Sequence, residues 1–83
     1  MFDKNRLARL RWNCRRGMLE LDLMLLPFLE QKFQDLNASD QSLFEELLAC
    51  QDQDLYRWLV TKEKPSDDRF VHLIQIIRNA KHL

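Results

Sequence analysis

The stretch CRRGMLELDLMLLPFLEQKF, Cys14 to Phe33, decides how this chain folds. It holds the single glycine of the sequence, Gly17, and one of its two prolines, Pro27. Two arginines precede the glycine, and two carboxylates, Glu20 and Asp22, follow it. Glycine just past a helix adopts the left-handed conformation with no Cβ penalty, so Gly17 reads as the end of one helix and a corner into the next. Arg15 and Arg16 then fall in the last turn of the first helix, where cations suit the negative end of the dipole. The second segment runs from about Met18 to Phe33 with Pro27 inside it. A proline in a helix interior removes a hydrogen bond and clashes with the preceding turn, costing about 3 kcal/mol. A break or sharp kink is therefore expected near residues 24–26. Met18, Leu21, Leu25, Phe28 and Leu29 form the buried face.

Outward from this stretch the chain reads as helices with short joints. A first helix over residues 3–15 places Leu7, Leu10 and Cys14 on one narrow stripe facing the core. In LNASDQSLFEELLAC, Asn37 is an N-cap, Asp40 follows in a capping-box role and Leu36 acts as a staple. Leu43, Phe44, Leu47 and Leu48 then repeat at helical spacing. QDQDLYRWLV starts near Asp52 as cap and presents Leu55, Trp58 and Leu59 on one face. TKEKPS is the longest polar joint. Ser66 caps a last helix with Asp67 and Asp68 in its first turn and Phe70, Leu73, Ile74 and Ile77 as its stripe. The expected architecture is all-α, one domain over residues 1–83, a small bundle of five short helices, or six if Pro27 splits the second.

Composition agrees. The chain has 83 residues, 46% hydrophobic and 31% charged, the balance of a globular domain rather than a disordered one. Two cysteines are too few for a disulfide scaffold and fit a reducing compartment. The opening MFDKNRLARLRW is charged at once and lacks the apolar core of a secretory signal. The longest apolar run, LMLLPFL, is far short of the roughly 20 residues of a membrane span. A soluble protein of the bacterial cytoplasm is expected. Net charge is zero but segregated. Residues 1–16 carry six Lys/Arg against one Asp, and residues 17–60 carry nine Asp/Glu against two Lys/Arg. A basic first helix on an acidic body argues against nucleic-acid affinity and suits a directed protein contact. A DNA-binding helix-turn-helix would read bases with the helix after the corner. Here that helix carries Glu20 and Asp22 and would repel phosphates.

Catalytic chemistry finds no support. Cys14, Cys50, His72 and His82 are scattered without metal-ligand spacing, and both cysteines continue apolar stripes as small buried hydrophobes. One glycine cannot build a phosphate-cradling loop. No catalytic and no metal-binding residue is assigned. Two features remain. Trp12 sits about 140° from Leu7 on the wheel, off the core stripe, with Arg9 and Arg16 beside it. It either packs on another helix or forms an aromatic contact flanked by arginines, the residue types enriched at interface hot spots. Glu20 falls opposite the buried face, where it either pairs with Arg15 or Arg16 or stays free for a partner. Asp22 points toward the apolar side and must be hydrogen-bonded, to the chain near the Pro27 break or to an arginine.

These residues carry a resemblance. WNCRRGMLELDLML, with Arg16, Gly17, Glu20 and Asp22, resembles the RGxxE motif of the SdhE family, also named YgfY and, as an antitoxin, CptB. PFLEQKF, LFEELLACQDQDLYRWL, Pro65 and the final helix extend the likeness over nearly the whole chain. Departures lie in joints, where Gln53 stands for a frequent proline and Glu63 for a frequent glycine. The resemblance implies a five-helix bundle that is no enzyme. It implies a monomeric chaperone that binds the flavoprotein subunit of succinate dehydrogenase, and in some bacteria that of fumarate reductase. It promotes covalent attachment of FAD to a histidine of that client and holds no cofactor stably itself. Nucleic acid and membrane insertion have no part. The implied contact set is Arg9, Trp12, Arg16, Gly17, Glu20 and Asp22, with Arg16 and Glu20 pointing outward beside Trp12 and Asp22 turned inward. A regulatory, antitoxin-type binder of another protein is the alternative.

Overall fold

A computed structural model describes residues 4–80. Five helices follow in order: α1 (Lys4–Cys14), α2 (Leu19–Gln31), α3 (Ala38–Leu48), α4 (Asp52–Leu59) and α5 (Asp68–Asn79). A short 3-10 turn, Phe33–Asp35, joins α2 to α3. No strand occurs among the described residues, and no helix there is long and apolar enough to cross a membrane. The all-α expectation holds with five helices. Residue 3 and His82 lie outside the described residues.

α2 is the central helix. It packs against α1, α4, α5 and the 3-10 turn, while α3 closes on α1 and α5. Leu21, Leu25, Phe28 and Leu29 of α2 are buried, as the helical spacing predicts. Phe44 of α3 seats between Phe28 and Phe33, with both ring centroids 5.5 Å from its own. Trp58 of α4 meets Phe70 of α5 at 5.9 Å. Leu7, Met18 and Leu43 pack at the core margin, half-buried.

The expected break at Pro27 does not occur, and α2 runs through it for 13 residues. The hydrogen bond that Pro27 cannot donate would go to the carbonyl of Leu23, an exposed residue within reach of water. Phe28 and Leu29 lie directly beyond the proline and are 1% exposed. Burying each contributes about 1.5–3 kcal/mol, enough to offset the proline. The helix ends instead at Gln31, and the chain tightens into the 3-10 turn.

Caps shift by one residue in three places. α1 ends at Cys14, so Arg11 rather than Arg15 or Arg16 occupies its last turn. Gln51, not Asp52, stands at the N-cap of α4, without a side-chain bond. Asp67, not Ser66, caps α5 by accepting from the Arg69 N–H at 2.9 Å. Asn37 caps α3 as expected, accepting from Asp40 N–H at 2.8 Å. The Asp40 carboxylate does not reach back and lies 3.6 Å from His72 of α5.

Candidate functional site

The corner between α1 and α2 is built from both sides. Arg15 N–H closes the last turn of α1 on the Trp12 carbonyl at 3.2 Å. Gly17 follows at φ +76°, the left-handed conformation its position predicted. A Cβ placed on it would meet no atom of the described residues within 4 Å, so the glycine answers to backbone conformation rather than to crowding there. Met18 is the N-cap of α2 and has no side-chain cap bond. Asp22 supplies what is missing. Its Oδ1 accepts from the Arg16 backbone N–H at 2.7 Å, and its own N–H donates to Met18 O at 2.9 Å. The inward, structural reading of Asp22 holds, but its partner is the corner itself rather than the Pro27 region or an arginine side chain. A carboxylate in the first turn also faces the positive end of the α2 dipole.

Arg16 departs from expectation. It does not stand outward beside Trp12. Its side chain is 15% exposed and runs inward to the joint between α3 and α4. There the guanidinium donates to the carbonyls of Leu48 and Cys50 and to Asp52 Oδ1, the last at 3.2 Å. Leu48 ends α3, where carbonyls lack intrahelical donors. The fork-shaped guanidinium can serve several acceptors at once, which a lysine ammonium on a single stem does less well. Sequence spacing could not show this, because the acceptors lie 32 to 36 residues away.

Beneath the corner, Cys14 is fully buried. Burial pushes its thiol up to about 12, with the Arg16 charge opposing the shift and Asp22 adding to it. Cys50 is half-buried in the α3–α4 joint rather than in the core, and burial raises its thiol as well. Thiols held protonated are poor nucleophiles. Among the described residues no group of three His, Cys, Asp or Glu side chains is placed to hold a metal ion.

The outer side of the corner is different in kind. Trp12 is 72% exposed and packs on no other helix as a core residue would. Leu19 and Leu23 are 69% and 60% exposed, one turn apart on α2. Arg9, Arg15 and Glu20 are exposed, and their side chains make no ion pair or hydrogen bond to the described residues. Glu20 thus pairs with neither Arg15 nor Arg16. The sequence reading left the two leucines out of the buried face and did not name them as candidates for a contact. The wheel carried the signal, since both fall on the side of α2 away from Leu21. Exposed apolar side chains interspersed with unpaired charges of both signs fit recognition of a protein surface.

The chain matches known proteins over most of its length. Residues 8–81 match the family described as flavinator of succinate dehydrogenase. The FAD assembly factor SdhE of Photorhabdus laumondii is 42% identical over 77 residues, covering 93% of this chain and 88% of the relative. That of Pseudomonas aeruginosa is 42% identical over 77 residues, covering 93% and 92%. That of Colwellia psychrerythraea is 43% identical over 70 residues, covering 84% and 77%.

Proposed function

This chain belongs to the family of flavinators of succinate dehydrogenase, and we propose that it is an assembly factor that binds the flavoprotein subunit of that enzyme and promotes its covalent flavinylation. FAD is the cargo of the client and is not held stably by this chain. The bond-forming chemistry belongs to the flavin and the flavoprotein. The small bundle contributes binding and holds the client in a conformation competent for the reaction, without catalytic residues of its own. It acts as a monomer in the bacterial cytoplasm, and the flavoprotein of fumarate reductase is a second client.

The docking face is the outer side of the corner. Trp12 is its aromatic anchor, Arg9 and Glu20 its charges, and Gly17 the point where a partner backbone approaches closely. Leu19 and Leu23 extend its apolar area along α2. The observation that carries this reading is the contrast between Glu20, exposed and without a partner among the described residues, and its motif neighbours Arg16 and Asp22, both engaged within the bundle.

The test is in-gel flavin fluorescence of the succinate dehydrogenase flavoprotein in cells that lack the chain, complemented with wild type or Glu20→Ala. Covalent flavin is expected with wild type and is expected to be largely lost with Glu20→Ala. Normal flavinylation by a folded Glu20→Ala chain would remove the docking face. Flavinylation that does not depend on the chain at all would favour the antitoxin-type reading. The same gel run on fumarate reductase tests the second client.

A further inference from the structure

Within the docking reading above, Arg16 raises a separate question. A guanidinium is costly to bury, and Arg9 and Arg15 already offer exposed cations nearby. Arg16 instead spends its donors on the Leu48 and Cys50 carbonyls and on Asp52, while its Nε is buried without a partner. Its backbone N–H is held by Asp22. One residue thus ties the α1–α2 corner to the α3–α4 joint by its side chain and to the first turn of α2 by its main chain. Gly17, the next residue, is the flexible point of that corner. Without an anchor on its N-terminal side, the left-handed turn leaves the relative placement of Trp12, before it, and Glu20, after it, loosely defined.

We infer that Arg16 is a positioning residue for the client: it makes no contact with the flavoprotein and fixes the geometry of Trp12 and Glu20 through the α3–α4 joint, with Asp52 as its counter-charge. Asp52 is 41% exposed in its side chain and belongs to α4, which carries none of the docking residues. Replacing it should therefore weaken client binding although it touches no client.

The experiment is a titration of purified succinate dehydrogenase flavoprotein with wild-type chain, Asp52→Asn, Arg16→Gln, the double variant, Glu20→Ala and Ile77→Val. Ile77→Val trims the core on α5 and reports what lost stability alone does to affinity. Asp52→Asn is expected to weaken binding about three- to tenfold, within the range seen for residues that couple through a network. It should also shift the Gly17 amide and Trp12 indole resonances of the free chain, which a general loss of stability does not do. The double variant is expected to bind no worse than Arg16→Gln, because both substitutions cut the same tie. Ile77→Val is expected to bind as wild type. If Asp52→Asn binds as wild type while Glu20→Ala is weakened, the positioning role is wrong and the docking face stands. If Asp52→Asn and Arg16→Gln add independently, Arg16 touches the client and the inference fails. If Glu20→Ala binds as wild type, the docking face itself falls and the inference with it. Should Arg16→Gln not fold, Asp52→Asn against Ile77→Val decides alone.

Discussion

The two sides of one corner use the same residue types for opposite ends. On the inner side an arginine and a carboxylate, Arg16 and Asp22, are consumed by the bundle, closing backbone groups that helix ends leave open. On the outer side an arginine and a carboxylate, Arg9 and Glu20, have no side-chain partner among the described residues, and Trp12 is exposed. Charge alone does not distinguish them. What does is the direction in which a neighbouring acceptor or donor lies, and that is set by tertiary packing. Polar residues adjacent in a motif can therefore divide into a scaffold that defines a shape and a surface that uses it.

This division predicts that inner substitutions act through stability and outer ones through binding. The largest contrast is Phe28→Ala against Trp12→Ala. Phe28 is 1% exposed and stacks near Phe44, so its loss is expected to cost about 3–5 kcal/mol, a large part of what an 83-residue domain has. Trp12→Ala is expected to leave stability within about 0.5 kcal/mol while abolishing flavinylation. Urea unfolding and flavin fluorescence measured on both variants check the pair. A Trp12→Ala chain that unfolds as readily as Phe28→Ala would erase the distinction.

The next effect separates the inner side further and depends on pH. Cys14 keeps its proton in the folded chain up to about 12, whereas in the unfolded chain the thiol releases it near its ordinary value of 9.0. The folded state therefore binds more protons across that window, and stability falls as pH rises through it, by at most about 1.4 kcal/mol per pH unit. Below pH 9 this contribution is flat. Cys14→Ala should unfold with a shallower alkaline slope than wild type, measured by urea titrations between pH 8 and about 10.5. Equal slopes would show that the thiol is not sequestered. Native Cys14 should also resist a thiol reagent that labels it at once in denaturant.

The helices, their buried stripes and the Gly17 corner were legible because they rest on local periodicity and on one conformational requirement. The wheel also put Trp12 and Glu20 off the core stripes, although it left open whether Trp12 packs on another helix. Arg16 was not, because its acceptors belong to another joint and no spacing within the motif encodes them. Pro27 misled because the local penalty was counted without the burial of Phe28 and Leu29 just beyond it. Ser66 and Asp67 are both good caps in sequence. The pairing of Asp67 with the Arg69 guanidinium, in addition to its N–H, favours the second. Leu19 and Leu23 show a different gap, since their phase on the helix kept them off the buried face while nothing local named them as part of a contact surface.

The smallest predicted effect lies on the boundary between the two sides. Gly17 belongs to the scaffold by its φ of +76° and to the surface by the open space around it. A substitution meets no steric obstacle among the described residues, so its cost to folding is that of holding a side-chain-bearing residue in the left-handed region. For Gly17→Ala this is about 1 kcal/mol. Asparagine tolerates that region better than alanine, so Gly17→Asn should cost about half as much. It nevertheless carries a larger side chain. If the corner is where a client backbone approaches, flavinylation should rank wild type above Gly17→Ala and Gly17→Ala above Gly17→Asn, following side-chain size. If Gly17 serves only the turn, the two variants should exchange places and follow stability. Thermal unfolding and flavin fluorescence on the same two proteins show which order holds.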